Sequence, residues 1–189
     1  MQQGLVKAVK RVKSEHGGKA NEIRHLLADE RIDVNYRDQL GETALHAACG
    51  YNIRSDVGAQ LLLNDERCDV NVQDDFGITA LMTAVRLVES EDDKYAKIVR
   101  LLLAHPSIDV NKQNEEEETA LHTACGFGTK SHIGAQLLLI DEKCDVNLKD
   151  RRHGNTALMT AVRWVESEDD KHAKIVRLLL VIRTSTSIK

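Results

Sequence analysis

Aromatic side chains and proline are scarce in this chain. Its 189 residues include two Phe, one Trp, three Tyr and a single proline, Pro106. The core of a β-sandwich normally draws on aromatic and β-branched residues, so this shortage argues against that class. It favours a core of Leu, Val, Ile and Ala, which is typical of stacked helices. Hydrophobic residues still make up 42% of the chain, which fits a folded domain and not a disordered segment.

Long apolar runs and a strong net charge are also absent from the sequence. No stretch approaches the roughly 18 consecutive apolar residues that a membrane helix needs. The net charge of −4 gives no electrostatic reason to expect nucleic acid or an anionic membrane as a partner. The four cysteines form no C-x-x-C pair and no zinc spacing, so we expect reduced thiols in the cytoplasm or the nucleus.

The chain contains an internal duplication of 76–77 residues. Residues 42–74 match residues 118–150 at 22 of 33 positions. Residues 77–103 match residues 154–180 at 24 of 27 positions. A repeated unit of this length indicates an array of similar structural modules.

Each copy of the duplicated unit is itself double. A turn followed by Thr-Ala-Leu starts each half, and the four starts fall at residues 41, 77, 117 and 154. A threonine before an apolar segment is suited to cap a helix. The four capping candidates are Thr43, Thr79, Thr119 and Thr156. The sequence of each half therefore predicts a module made of a turn, a helix, a second turn and a second helix. The modules must stack, because one module alone cannot bury both of its helices.

These modules resemble the ankyrin repeat. The family's Thr-Pro-Leu-His-x-Ala pattern is seen as Thr-Ala-Leu-His at Thr43 and Thr119, followed by Leu-Leu and Asp-Val-Asn. The resemblance implies an all-α solenoid of stacked helix-turn-helix modules with β-hairpin or turn tips. Glu117 stands where the other repeats have a turn glycine, so we expect a distorted tip there.

The resemblance divides a single domain, residues 1–189, into successive segments. They are a capping repeat at 1–40, repeat 1 at 41–76, repeat 2 at 77–116, repeat 3 at 117–153, a truncated repeat 4 at 154–180 and a tail at 181–189.

The resemblance also implies a binding groove lined by the hairpin tips and by the ends of the first helices. Most of the aromatic residues fall at these positions, and exposed aromatics are typical anchors of protein interfaces. We expect a protein or peptide partner to be bound by Tyr51, Phe76, Arg86, Leu87, Phe127, Arg151, Arg152, Arg163 and Trp164. The alternative is that the aromatic rings pack beneath the helix connections.

The implied function is that of a non-catalytic scaffold, adaptor or inhibitor that needs no metal or cofactor. His46 and Cys49 share a helix face, as do His122 and Cys125, but each pair is two ligands short of a zinc site. A second hypothesis is that the repeats regulate a larger enzyme or channel. The last repeat has no polar closing helix, so self-association through it is also expected.

Two kinds of residue are candidates for modification. Asn71, Asn111 and Asn147 occupy the hairpin asparagine position, which an oxygen-dependent asparaginyl hydroxylase can modify in ankyrin relatives. Their simpler role is to fix the turn. Ser90 and Ser167 each begin a Ser-Glu-Asp-Asp sequence. Either the serine caps the second helix, or an acid-directed kinase phosphorylates it.

Overall fold

The computed structural model describes residues 3–11, 18–50, 56–91, 93–126, 128–129, 131–165 and 170–186. These residues form ten α-helices, which follow one another in pairs. In chain order they are α1 Gln3–Lys10, α2 Gly18–Leu27, α3 Ala44–Cys49, α4 Val57–Leu63, α5 Ala80–Leu87, α6 Lys94–Leu103, α7 Ala120–Cys125, α8 Ile133–Leu139, α9 Ala157–Arg163 and α10 Lys171–Thr186. None of these helices is long and apolar enough to cross a lipid bilayer.

A threonine caps the first helix of each of repeats 1 to 4, as the sequence predicts. The Thr43 hydroxyl oxygen accepts the backbone N–H of His46 at 3.4 Å, and His46 Nδ1 accepts the N–H of Thr43 at 3.2 Å. Thr119 and His122 form the same reciprocal pair. In repeats 2 and 4 the threonine cap is present, with methionine in place of the histidine. Such a cap contributes about 1 kcal/mol to helix stability.

The helices form two layers. The first helices α1, α3, α5, α7 and α9 pack against one another in that order, and so do the second helices α2, α4, α6, α8 and α10. A core of small and aliphatic side chains runs between the layers and includes Leu62, Leu81, Ile98, Leu102 and Leu138. Each pair buries its apolar surface mainly against its neighbours in sequence. The prediction of an all-α solenoid is confirmed.

Side chains of the second helices bond the carbonyl groups that end the first helices of the preceding repeat. The Tyr95 hydroxyl of α6 donates to Gly50 O at 3.3 Å, and His172 Nε2 of α10 donates to Gly126 O at 3.4 Å. Tyr95 and His172 are one of only three differences between residues 77–103 and 154–180. Each side chain donates a hydrogen bond to a carbonyl group that has no acceptor role within its own helix, so tyrosine and histidine can fill the same structural role.

The tip at Glu117 keeps its geometry, so the expectation of a distorted turn is wrong. Glu117 adopts a φ of 57°, where the other tips place a glycine. Its N–H donates to Asn114 O at 2.9 Å, as the N–H of Gly77 donates to Asp74 O at 3.0 Å in the tip before it. The hydrogen bond therefore holds the turn although Glu117, which has a side chain, adopts the left-handed backbone conformation at a cost of about 1–2 kcal/mol.

Asp93, and not Ser90, caps α6. Asp93 Oδ1 accepts the N–H of Ala96 at 2.6 Å, and its Oδ2 accepts the N–H of Ser90 at 3.1 Å. The interpretation of Ser90 as the cap is wrong because the helix begins only at Lys94, and a carboxylate serves both the helix and the preceding turn. Ser167 lies outside the described residues.

Candidate protein-binding site

The hairpin tips of successive repeats are joined by backbone hydrogen bonds. Asp75 N donates to Leu40 O at 3.1 Å, and Glu115 N donates to Phe76 O at 3.2 Å. Arg151 N donates to Glu116 O at 2.7 Å. In each bond the acceptor belongs to the preceding tip. It is the residue just before the turn glycine, or just before Glu117, which stands in place of that glycine. The tips therefore form a continuous edge along the solenoid.

Two large apolar side chains are exposed on adjacent tips of this edge. Leu40 is 58% exposed and Phe76 is 62% exposed. They occupy the same position of the turn, one repeat apart, and the bond between Asp75 and Leu40 fixes one tip beside the other. We call these two residues the tip pair. Solvent-facing apolar side chains held on rigid turns are suited to anchor a partner.

A cavity of about 350 Å³ adjoins the tip pair. Its walls come from α1 and from the first tip, and they are Val6, Lys7, Lys10, Asp38, Gln39 and Leu40. Leu40 thus belongs both to the tip pair and to the cavity. Val6 and Leu40 make its lining partly apolar, and Lys10 Nζ lies 3.7 Å from Glu42 Oε2. Since Lys7 is exposed beside these groups, the cavity suits a partner that carries an apolar side chain beside a negative charge.

Ion pairs link neighbouring tips. Arg37 Nη2 lies 2.8 Å from Asp75 Oδ1, and Arg152 Nε lies 3.8 Å from Glu116 Oε2. Both pairs are solvent-exposed, so each contributes at most about 1 kcal/mol. Arg152 and Glu116 thus place opposite charges on neighbouring tips.

The hairpin asparagines bridge consecutive repeats. Asn71 Nδ2 donates to Ser107 O at 2.6 Å, and Asn71 Oδ1 accepts the N–H of Asp109 at 2.8 Å. Asn35 and Asn111 make the same two bonds to the loop that follows them. In the part of the chain that the structure describes, the Asn147 side chain makes no such bridge. Asn35, Asn71 and Asn111 therefore hold the loop of the next repeat, a role that Asn147 does not have within the described residues.

The sequence matches a known family over nearly its whole length. The model of the family described as ankyrin repeats (3 copies) matches residues 8–114 and residues 88–188. The chain belongs to the ankyrin repeat family. Ankyrin repeats are generally non-catalytic protein–protein interaction modules. No curated protein matches the chain.

Leu87 was expected to line the groove of this ankyrin array, and that prediction is wrong. Its side chain is 2% exposed at the end of α5, within the core, so it cannot contact a partner from the surface. Next to it in the chain, Val88 O accepts a hydrogen bond from Ser131 Oγ at 2.9 Å, which joins the end of α5 to the segment before α8. Trp164 is its counterpart in repeat 4 and is half-buried. Their shared position at the end of a first helix did not show that one side chain is buried and the other half-buried.

The other predicted groove residues are partly open to solvent where the structure describes them. Phe76 belongs to the tip pair, and the exposed residues Arg86, Arg151, Arg152 and Arg163 lie on α5, the last tip and α9. The Arg163 guanidinium lies 5.8 Å from the centre of the Trp164 ring, a cation–π distance. Tyr51 and Phe127 lie outside the described residues.

The histidines and cysteines of the repeats serve packing. His46 Nε2 donates to Ile78 O at 2.9 Å, and His122 Nε2 donates to Asn155 O at 3.1 Å, so each joins its helix to the next hairpin. Burial raises the pKa of the thiols, that of Cys68 to about 12. Within the described residues, no group of three or more His, Cys, Asp or Glu could hold a metal ion.

Leu40 and the α1 residues around the cavity are the site residues that sequence reasoning missed. Leu40 precedes Gly41 as Phe76 precedes Gly77, so aligning the tips would have paired them. The contribution of Val6, Lys7 and Lys10 depends on how α1 lies against the first tip. No sequence pattern indicates that packing.

Proposed function

We propose that this ankyrin array is a scaffold or adaptor that holds a peptide segment of a partner protein at its first two hairpin tips. The observation that carries the proposal is the tip pair, Leu40 and Phe76, exposed on adjacent turns beside a cavity of about 350 Å³. An apolar side chain of the partner enters the cavity, and its neighbouring backbone lies across Phe76. Lys7 favours an acidic residue next to that anchor, whereas Lys10 already lies 3.7 Å from Glu42.

The exposure of the tip pair sets the loss of affinity that is expected when either side chain is truncated. Fully burying a Leu or Phe side chain is worth about 1.5–3 kcal/mol. Since more than half of each side chain is still exposed, partner binding has about 1–2 kcal/mol left to gain from each. Leu40→Ala or Phe76→Ala should therefore weaken binding by about 5–30-fold.

Site-specific photocrosslinking tests the proposal. A photoreactive amino acid at position 76 captures the partner in cells, and mass spectrometry of the crosslink identifies the partner segment. The identified peptide is then titrated against Leu40→Ala, Phe76→Ala and the matched control Ile140→Ala. Ile140 is exposed just after α8 and belongs neither to the tip pair nor to the cavity lining. If all three variants bind like the parent chain, the tip pair is not the site.

Repeat 4 extends the proposed groove. Arg151, Arg152, Arg163 and Trp164 present cations and one aromatic ring near the last tip and the end of α9. A partner long enough to reach them carries its acidic residues there. The roles in which these repeats regulate a larger enzyme or channel, and their location in the cytoplasm or nucleus, stay predictions.

Hydroxylation of a hairpin asparagine is a second candidate role, and one observation favours it at Asn147. A hydroxylase must reach the asparagine side chain, and both ends of the Asn71 and Asn111 amides are bonded to the next loop. The Asn147 side chain is exposed and lacks that bridge within the described chain.

A further inference from the structure

The turn between α5 and α6 presents an exposed serine. Ser90 lies between the end of α5 at Leu87 and the start of α6 at Lys94, and it is exposed. Its backbone is tied to the cap residue, because Ser90 N–H donates to Asp93 Oδ2 at 3.1 Å and Asp93 N–H donates to Ser90 O at 3.5 Å. Since Asp93 caps α6, the Ser90 hydroxyl takes no part in the helix end. Within the described residues it forms no hydrogen bond.

Acidic residues follow this serine directly. Ser90 is succeeded in the sequence by Glu91, Asp92 and Asp93. A kinase that binds its substrate through a basic cleft recognises carboxylates placed just after the serine, because opposite charges favour the encounter and select against other sequences. Glu89 and Glu91 are exposed on either side of the serine. The sequence and the exposure of this turn therefore fit the substrate of an acid-directed kinase.

A guanidinium group already lies against this turn. Arg100 Nη1 of α6 donates to Glu91 O at 2.7 Å, and Glu91 is the residue next to Ser90. A guanidinium carries several N–H donors, so others stay available beside the one used in this bond. A phosphate on Ser90 extends the side chain by one tetrahedral group, which brings its oxygens toward these donors. A phosphate paired with arginine makes about one to three charge-assisted hydrogen bonds.

We propose that Ser90 is a phosphorylation site of an acid-directed kinase and that Arg100 binds the phosphate once it is attached. The kinase transfers the γ-phosphoryl group of a nucleoside triphosphate to Ser90 Oγ. A bond forms between Oγ and phosphorus, and the bond from phosphorus to the β-phosphate oxygen breaks. The hydroxyl proton passes to the base of the kinase, and the nucleoside diphosphate leaves. This site does not depend on the tip pair or on the proposed function.

The charges around Ser90 explain why the phosphate needs Arg100. A phosphoserine carries a charge of about −1.5 to −2 at pH 7, and Glu89 and Glu91 add further negative charge beside it. The carboxylate of Asp93 is occupied by the N–H groups that it caps. A guanidinium that contacts the turn offsets this repulsion.

Two other basic side chains lie near this turn. Burial lowers the pKa of His132, at the start of α8 beside Glu91, so its imidazole adds little positive charge at neutral pH. Lys94 Nζ lies over the Tyr95 ring, 4.8 Å from the ring centre. Of these cations, Arg100 is the one that bonds the backbone of the turn.

Incubation of the 189-residue chain with an acid-directed kinase and ATP, followed by trypsin and mass spectrometry, tests the site. Trypsin cuts after Arg86 and Lys94 and releases residues 87–94, in which Ser90 is the single hydroxyl residue. The copied motif is released as residues 164–171 and has a different mass, because Trp164 replaces Leu87. We expect phosphate on residues 87–94. If this segment stays unmodified while an acidic model peptide in the same reaction is phosphorylated, the proposal is overturned.

Phosphorus NMR of the phosphorylated chain tests the role of Arg100, with Ser167→Ala present throughout so that the copied motif carries no phosphate. The second pKa of a phosphoserine is about 6, and a guanidinium a few ångströms away lowers it, because it favours the dianion. Arg100→Gln should therefore raise this pKa by about 0.5. Arg177→Gln is the matched control, since Arg177 is the counterpart of Arg100 on α10, and it should leave the pKa unchanged.

Circular dichroism shows that both arginine variants are folded, which is expected because both side chains are exposed. Identical phosphorus titrations of the parent chain and of Arg100→Gln would overturn the assignment of Arg100 as the residue that binds the phosphate. An equal rise in Arg177→Gln would also overturn it, because the effect would then not come from the turn at Ser90.

Discussion

Gly134 allows α8 to approach the end of α5 more closely than any residue with a side chain could. A Cβ at this position would collide with the carbonyl oxygen of Val85 and lie 3.3 Å from its carbonyl carbon. The approach is held in place by Ser131, whose hydroxyl donates to Val88 O at 2.9 Å just before α8 begins. Gly134→Ala therefore forces two anchored helices apart.

The internal duplication supplies the matched control, because Gly58 is the counterpart of Gly134 in repeat 1. A Cβ on Gly58 would meet only Val9 Cγ1 at 3.4 Å and Ala48 Cβ at 3.9 Å, which are ordinary contacts. Gly58→Ala keeps the benefit of alanine in a helix, up to about 1 kcal/mol. Its stability should be equal to or slightly above that of the parent chain.

The cost of Gly134→Ala follows from the size of the collision. Restoring a normal carbon–oxygen separation requires a movement of roughly 1 Å. Overpacking of this kind typically costs about 1–3 kcal/mol. The helix-forming advantage of alanine offsets part of this cost, which leaves a net loss of about 1–2 kcal/mol. For a chain of this length, the melting temperature should fall by about 2–8 °C.

Thermal unfolding followed by far-ultraviolet circular dichroism measures both variants. The reasoning requires Gly134→Ala to melt below Gly58→Ala by several degrees. Fluorescence of Trp164, the single tryptophan, reports separately on the half of the chain that contains Gly134. Equal melting temperatures for the two alanine variants would refute the claim that α8 needs a bare backbone beside Val85.

Three further predictions concern single positions. Glu117→Gly should raise the melting temperature by about 1–4 °C in the same assay, because it removes a side chain from the left-handed region. A thiol reagent at pH 8 should modify Cys144 first and spare Cys49 and Cys125 until denaturant is added, because burial raises the pKa of these two fully buried thiols and closes access. After incubation with an asparaginyl hydroxylase, mass spectrometry should find an added oxygen on Asn147 before it appears on the hairpin asparagines of earlier repeats. The reverse order would contradict the argument that the unbridged side chain is the more accessible one.

The repeat architecture could be predicted because its signals are local. Thr43 and Thr119 cap helices through hydroxyl groups that act on residues three positions later. The apolar spacing within each module sets the face that each helix buries. These signals recur in each repeat, so the order of helices and the two-layer stack follow from the sequence.

The candidate site could be predicted only in part, because it depends on contacts between segments. Phe76 was identified at a tip, but its neighbour Leu40 was not. Leu87 was placed in the groove by its position at the end of a first helix, yet its side chain is 2% exposed. The helix cap at Asp93 was assigned to Ser90, because both side chains can accept an N–H and only the path of the chain decides between them.

The duplicated repeats separate what the sequence determines from what the tertiary structure decides. Met82 and Met159 lie in nearly identical sequence and in the same helix position, which the sequence alone determines. One is buried and the other is half exposed, because repeat 3 packs on the first and no described repeat packs on the second. Helix formation depends on residues a few positions apart, whereas burial depends on a neighbour that only the folded stack supplies.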